Sequence, residues 1–312
     1  MGEVPGVSLK SLFAVAVAPL ALLFSPIAFG QAAPAAAPAA QPRPADPALW
    51  MVRDADTTIY LFGTVHVLKP GLSWFDSAVK TAFDKSDTLV LELMDPEPAA
   101  MQSLLVKTAL APAGSKPVAD QLPADKRDAY LKAMADIGVP PAAFDTLQPW
   151  VAGITLSVAG LPKLGYDPAS GAEKVLTLAA RDTGKPVIGL ETAEQQLGYF
   201  SSMPPALQLA FLGSVVDDYP KLGTELGKMV DQWAAGDPEA LGATMNEGMR
   251  DTPELARILL TDRNARWAKW IEARLQKPGT VFLAVGAGHL AGADSVQAFL
   301  AKDQVKVERI RY

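Results

Sequence analysis

The chain has 312 residues, of which 49% are hydrophobic and 20% charged, a balance that suits a globular protein with a sizeable core. The formal net charge is -6 and the sequence holds no basic patch, so we expect neither nucleic acid nor an anionic membrane surface as a partner. The absence of cysteine excludes disulfides, thiolate metal ligands, a cysteine nucleophile and a lipoprotein anchor.

The N-terminal residues 1–32 have the features of a secretory signal peptide. Lys10 precedes the uncharged apolar run Leu12–Leu23, and small residues follow where a signal peptidase would cut. The run is short for a membrane span, which needs about 20 apolar residues. We therefore predict a cleaved signal, no stable membrane span after processing, and a periplasmic or secreted protein.

The next segment, residues 33–48, consists mostly of alanine and proline. Such a composition offers little to bury, so it predicts a disordered linker. The folded domain is then expected to cover residues 49–312.

Within that domain, segments with strand and helix patterns alternate along the chain. The predicted strands are Thr57–Phe62, Thr88–Leu93, Pro186–Leu190, Val281–Val285 and Val305–Ile310. The predicted helices are Trp74–Ser86, Ala99–Leu110, Pro123–Ile137, Lys174–Asp182 and Ser295–Ala301, and helical periodicity runs through residues 195–276. This order predicts an α/β fold, with a mixed central sheet flanked by helices.

Two short segments near opposite ends of the predicted domain resemble each other in sequence. Thr58–His66 and Thr280–His289 are both hydrophobic strands that run into Gly-x-x-His, and together they use both histidines of the protein. This predicts two pseudo-repeated halves with a helical insertion between them. A histidine just past a strand's carboxyl end lies where open α/β sheets bind ligands, although either imidazole could instead be structural.

Two glutamates occupy equivalent places at the ends of other predicted strands. Glu92 ends one strand and Glu191 directly follows another, so four strands end in His66, Glu92, Glu191 and His289. Imidazole and carboxylate ligands suit Zn, Mn, Co or Fe(II), and a metal with an open position activates bound water. These four residues are the predicted metal ligands. The pattern leaves open whether one glutamate is the general base, or whether both merely cap helices.

Several motifs, taken in order, resemble those of the TraB/GumN family. They are Leu61–His66, Leu91–Leu93, Gly189–Gln195, Trp233–Asp237, Asp262–Asn264 and Val285–Leu290. The resemblance runs from about Leu49 to the C-terminus. The family includes the Tiki proteins, described as metal-dependent proteases with paired Gly-x-x-His motifs, and it is distantly similar to erythromycin esterase and haem-binding ChaN-like proteins. The resemblance implies a mixed sheet and a site built from both halves.

The resemblance also adds two candidate residues and shows one departure. It implies that Arg263 and Asn264 are polar site residues, and a guanidinium could clamp a substrate carboxylate or an oxyanion. The alternative is an arginine on an exposed helix face. The family pattern carries an acidic residue two positions after the strand glutamate, where this chain has Met94 followed by Asp95.

The expected function is metal-dependent hydrolysis of a peptide or small-molecule substrate in an exported protein. The predicted catalytic residues are Glu92, Glu191, Arg263 and Asn264, and the predicted cofactor is a divalent ion such as Mn, Co or Zn. Two alternatives without turnover remain: a haem- or ligand-binding protein with a histidine as axial ligand, and a regulatory protein that sequesters a peptide.

Overall fold

The computed structural model describes residues 42–94, 96–249 and 252–312. The strands are β1 Arg43–Pro44, β2 Leu49–Arg53, β3 Thr57–Thr64, β4 Leu72–Ser73, β5 Thr88–Leu93, β6 Val187–Glu191, β7 Gly279–Gly286 and β8 Val307–Ile310. Six of them form a mixed sheet in the order β6-β5-β7-β3-β2-β8, which is the main feature of the fold. The predicted α/β class with a mixed central sheet is therefore confirmed.

Four neighbouring strands of this sheet are parallel. β6, β5, β7 and β3 pair in parallel, whereas β2 runs antiparallel to both β3 and β8. β8 consequently points the same way as the four parallel strands, so five carboxyl ends meet at one edge of the sheet. β3 and β7 pair in register from Thr57 opposite Gly279 to Thr64 opposite Gly286, which sets the two Gly-x-x-His segments side by side. A duplication of the two halves stays a prediction.

Helices account for most of the remaining chain. They are α1 Ser77–Lys85, α2 Pro98–Ala109, α3 Val118–Gln121, α4 Ala124–Ile137, α5 Pro149–Ala159, α6 Ala172–Asp182, α7 Ala193–Ser201, α8 Pro205–Asp218, α9 Leu222–Ala234, α10 Pro238–Met249, α11 Pro253–Ala256, α12 Asp262–Leu275 and α13 Val296–Lys302. A π-helical turn, Arg257–Thr261, leads into α12. The predicted helical stretch between the two halves corresponds to α7 to α12.

The sheet is covered on both faces, as expected for parallel strands. Successive residues of β7 point to opposite sides, so Phe282 and Ala284 join a large core on one face with helices that include α5, α8 and α9. Val281, Leu283 and Val285 join a smaller core on the other face, formed with α12 and α13. Burial on both faces fixes the strands and therefore holds the loops at the carboxyl edge in place.

The folded region begins before the predicted boundary at residue 49. β1 pairs with β4, and Ala45 between β1 and β2 is buried. The last residues of the predicted linker are therefore part of the fold, because they form backbone hydrogen bonds and bury an apolar side chain. The predicted signal peptide and most of the linker lie outside the described residues. Among the described residues, no helix is long and apolar enough to cross a membrane.

Candidate functional site

The carboxyl edge of the sheet gathers the predicted site residues. Glu92 lies near the end of β5, Glu191 ends β6, and His289 lies in the 3₁₀ turn that follows β7. His66 comes two residues after β3, and all four side chains are buried. Burial of so many ionisable groups at one edge requires partners for them, because an unpaired buried charge is costly.

Arg263, on the first turn of α12, is the partner that three of these groups share. Its side chain is only 1% exposed. Nε donates to both carboxylate oxygens of Glu191, at 2.9 and 3.2 Å. Nη2 donates to Glu191 Oε2 at 2.8 Å and to Glu92 Oε2 at 2.7 Å. Nη1 donates to the Leu259 carbonyl at 3.1 Å and to His289 Nε2 at 3.2 Å.

These contacts use all five N–H donors of the guanidinium. The predicted alternative of an exposed arginine is therefore wrong. The predicted role as a clamp on substrate is not what this arrangement offers either, since no N–H of Arg263 is left for a ligand. Its geometry assigns it a positioning role: one fixed cation holds the side chains of three different strand ends together.

Asn264 holds His289 from the other side of the imidazole. Because a guanidinium only donates, His289 Nε2 accepts from Arg263, and its Nδ1–H donates to Asn264 Oδ1 at 2.5 Å. Asn264 Nδ2 in turn donates to the Asp294 carbonyl at 2.7 Å. The Trp267 ring packs against the imidazole with ring centroids 4.4 Å apart. Both nitrogens of His289 are thus engaged by protein groups.

Glu191 is similarly saturated by its surroundings. Besides Arg263, it accepts from Tyr199 Oη at 3.0 Å and from Gln196 Nε2 at 3.1 Å. It does not cap the following helix, because Thr192 and Gln195 form the capping box of α7. The carboxylate therefore acts as the main anchor of Arg263, and the capping alternative for Glu191 does not hold.

His66 differs from the other site residues in having one nitrogen free. Its Nδ1 lies 2.5 Å from Glu173 Oε1, and Thr64 Oγ1 donates to the same carboxylate oxygen. Its Nε2 is buried and has no hydrogen-bond partner among the described residues. In the neutral imidazole, Nδ1–H facing a carboxylate fixes the tautomer in which Nε2 carries a lone pair.

Opposing effects act on the pKa of His66. Burial lowers it, but the Glu173 carboxylate and its hydrogen bond, together with the charge of Glu92, raise the pKa above the ordinary histidine value. For Glu173, burial raises the pKa, yet the contact with His66 outweighs burial and holds the pKa below its usual range. The two shifts agree that the pair favours an imidazolium beside a carboxylate.

The pKa of Glu92 is shifted upwards, in the direction opposite to that of Glu173. Burial raises its pKa, and the nearby charge of Arg263 only partly offsets this, so the pKa lies above the ordinary glutamate value. Its Oε1 accepts from the Gly286 backbone N–H at 2.6 Å, which ties β5 to the end of β7. His66 and Glu92 are near enough that each charge shifts the pKa of the other. A basic imidazole and a carboxyl group with a raised pKa thus share one site.

Glu173 is the residue of this candidate site that sequence reasoning missed. It lies in the first turn of α6, where an acidic residue is commonly explained by the helix dipole. Its importance depends on the contact between α6 and the segment after β3, which are more than a hundred residues apart. Asp95, the other acidic residue considered, lies outside the described residues.

Replacing Glu173 by glutamine should lower the pKa of His66, because burial would then act without the compensating carboxylate. With only two histidines, an NMR titration of labelled imidazoles resolves both, and His66→Gln assigns the signals. The sign for stability follows from the raised folded pKa. The pairing stabilises the fold fully below the unfolded value of about 6.5, and this contribution is lost as pH rises through the folded pKa. An unchanged His66 titration in Glu173→Gln would contradict the pairing.

A close backbone approach positions the His66–Glu173 pair. A Cβ added at Gly171, the residue before α6, would lie 2.0 Å from the His66 carbonyl oxygen. The Ala172 N–H, at the start of the same helix, donates to the Val65 carbonyl at 3.0 Å. Only a residue without Cβ lets α6 dock against the segment that carries His66.

We therefore expect Gly171→Ala to cost about 1–3 kcal/mol of unfolding free energy, the usual range for overpacking a tight contact. Gly198→Ala is the matched control, because a Cβ at Gly198 in α7 meets nothing within 4 Å. Alanine in a helix interior should instead stabilise by about 0.5–1 kcal/mol. Urea unfolding of both variants checks this, and equal effects of the two substitutions would show that the approach at Gly171 is not tight.

The four predicted metal ligands do not form a set around one vacant point. The Arg263 guanidinium lies among Glu92, Glu191 and His289, and no group of three or more potential ligand side chains is placed to hold an ion in the described part of the chain. Of the four, only His66 presents a nitrogen without a partner. Metal ligation by these residues stays a prediction.

The protein is thus of the α/β class, with a guanidinium buried between two glutamates and a histidine at the carboxyl edge of an open sheet. Residues 48–309 match the TraB/PrgY/gumN family, and the chain belongs to that family. It is 24% identical over 262 residues to the Escherichia coli (strain K12) protein described as uncharacterized protein YbaP, covering 81% of this chain and 92% of YbaP. A Treponema pallidum protein, also described as uncharacterized, is 22% identical over 267 residues, covering 81% and 80% of the two chains. No solved structure matches.

Proposed function

We propose that this protein is a hydrolase in which His66 Nε2 activates a water molecule. The single observation that carries the proposal is the buried imidazole with Nδ1 held by Glu173 and Nε2 free. An imidazole oriented by a carboxylate at one nitrogen and open at the other is the arrangement of a general base. The raised pKa of His66 strengthens it as a base once it is deprotonated.

The space beside His66 suits a water molecule and has mostly apolar walls. A pocket of about 20 Å³ adjoins the imidazole, which is room for one or two water molecules. Its walls come from Thr64, Val65, His66, Val67, Leu226, Met229, Leu241, Met245 and Ala287. The methionines are unbranched and adaptable, so they can rearrange around an apolar group of a substrate.

The remaining site residues then have supporting roles. Glu92, whose pKa is raised, is the candidate general acid that protonates the leaving group after attack. Arg263 is a positioning residue, because it holds Glu92 while its charge stays paired with Glu191. His289 and Asn264 support Arg263 rather than contacting the reacting atoms. The expected bond is an amide, by resemblance to the Tiki proteases.

A hydrolysis screen tests the proposal. Purified wild type and His66→Gln are assayed in parallel on internally quenched peptides and on apolar acyl esters. We expect the wild type to cleave at least one class and His66→Gln to be close to background. If no substrate is cleaved faster by the wild type than by His66→Gln, the hydrolase proposal fails, and a ligand-binding or peptide-sequestering role becomes the better account.

Metal dependence is the second candidate, and the unpartnered His66 Nε2 favours it, since a bare imidazole nitrogen is a common ligand atom. A shared site for His66, His289, Glu92 and Glu191 would require Arg263 to leave Glu92, Glu191 and His289. Metal analysis of the wild type beside His66→Ala and His289→Ala separates the two candidates. Bound Mn, Co or Zn lost in both variants would support the shared metal site. No stoichiometric metal in the wild type would remove it.

We also propose that the mature protein is exported to the periplasm or outside the cell. The support is the signal-like sequence of residues 1–32, which lies outside the described residues. N-terminal sequencing of protein from the native host checks this. A sequence that starts near residue 33 is expected, and intact Met1 would contradict cleavage.

A further inference from the structure

A second, larger groove lies at the same carboxyl edge of the sheet. It has a volume of about 560 Å³ and lies between the start of α10 and the segment after β7. Arg309 and Arg311, on one face of β8 and its extension, line it together with Trp50 of β2. The one carboxylate among its lining residues is Glu239, so the described wall has more positive than negative groups, in a chain whose net charge is -6.

The guanidinium of Arg309 is held in place but not fully used. It stacks over the Trp50 ring, 4.9 Å from the ring centroid, and Nη2 donates to the Gly236 carbonyl at 2.9 Å. Its Nε is buried and has no hydrogen-bond partner within the described ranges. A guanidinium that is held in place and lines the groove can donate its remaining N–H groups to an acceptor that enters the groove.

Arg311 adds a second positive charge beside it. Its side chain is exposed, and no ion-pair partner for it exists among the described residues. The N-terminus of α10, which the groove meets at Pro238, is already capped by the Asp237 carboxylate, which accepts from the Ala240 N–H at 2.9 Å, so it adds no place for an anion. The two arginines favour an anionic group, and a guanidinium fork matches the two oxygens of a carboxylate.

The groove adjoins the His66 pocket, because a narrow cleft shares wall residues with both. A narrow cleft lined by Gly63, Trp233 and other residues lies between them. It shares Leu241 and Ala287 with the pocket at His66, and Trp50, Gly236 and Pro238 with the groove. The cleft itself has a volume of about 10 Å³, so a ligand that extends from the basic groove towards His66 requires its mostly apolar walls to move apart.

From this placement we propose that the basic groove binds the C-terminal carboxylate of an extended peptide whose apolar residues lie towards His66. The inference rests on the proposed hydrolase function for what happens at His66, but the binding step is independent of turnover. The groove then selects peptides with a free C-terminal carboxylate over longer chains that extend past this point and over peptides that end in an amide.

The test measures binding without hydrolysis, in the full-length processed protein carrying His66→Ala. The probes are N-acetylated peptides of alanine and leucine in several lengths, each as the free acid and as the C-terminal amide, titrated by calorimetry. We expect the best free acid to bind about tenfold tighter than its amide, as for one charge-assisted bidentate contact. Arg311→Gln should abolish this preference, and Arg311→Lys should retain part of it.

Lys277→Gln is the matched control, because it removes one positive charge from an exposed side chain at the opposite edge of the sheet. It should leave the preference for the free acid unchanged. Equal affinities for acid and amide, no measurable binding of either, or a preference that survives Arg311→Gln would each overturn the proposal. Hydrolysis by the wild type without a preference for the free acid would refute carboxylate binding by the groove and leave the hydrolase proposal intact. A preference for the free acid without any hydrolysis would refute the hydrolase proposal and leave carboxylate binding by the groove intact.

Discussion

His66→Gln should lower kcat/KM for a cleaved substrate by about 10³-fold, within the range of about 10²–10⁴ that general-base catalysis contributes. Glutamine is close to histidine in size and can still face Glu173, but its amide cannot take a proton from water. The loss should appear in kcat, because the proton transfer belongs to the transition state rather than to substrate binding. Steady-state kinetics on the substrate found by the screen measures it.

Two controls make this result specific to the imidazole. Lys277→Gln, far from the site on an exposed position, should keep wild-type kinetics. The melting temperature of His66→Gln should stay within a few degrees of the wild type. The loss of activity is then not caused by unfolding. A variant that retains a tenth or more of the wild-type kcat would exclude His66 as the base.

Arg263→Met should cost about 3–5 kcal/mol of unfolding free energy near neutral pH, the range observed when one partner of a buried ion pair is removed. Methionine fills part of the volume, but Glu92 and Glu191 would then remain buried without their shared cation. The loss should be smaller at acidic pH. Arg263 lowers the pKa of Glu92, so without Arg263 this pKa rises further and Glu92 protonates more readily.

Arg266→Met is the matched control for this prediction. Arg266 lies one turn further along α12, is 53% exposed and reaches the same Glu191 at 3.8 Å. A long ion pair whose cation is mostly exposed contributes about 0–1 kcal/mol. Urea unfolding of both variants gives the comparison, with Arg263→Lys as a milder change if Arg263→Met does not fold. Equal losses for the two arginines would show that Arg263 does not organise the cluster.

The sequence predicted those elements whose patterns are local. β5 was expected with the bounds that it has, because a short apolar run lies between clear breaks. α5 was not expected, since it is buried on all sides and its apolar residues show no helical period. β2 was missed as well, because its strand character depends on pairing with β3 and β8 from distant parts of the sequence.

The same limit applied to the site. The positions of the strand ends and the Gly-x-x-His spacing were enough to predict that His66, Glu92, Glu191 and His289 lie at one edge of the sheet. They could not show that Arg263 lies among three of them, because that depends on how α12 packs beneath the sheet. The pairing of His66 with Glu173 likewise arises from the docking of α6, which no spacing in the sequence encodes.

The most direct measurement of the central claim is the pH dependence of kcat/KM for the wild type and Glu173→Gln. A base must be deprotonated to act, and the pKa of His66 is raised, so the acid limb should lie above about 6.5 in the wild type and coincide with the NMR titration of His66. In Glu173→Gln the limb should move to lower pH together with that titration. An acid limb that stays in place while the His66 titration moves would contradict water activation by His66.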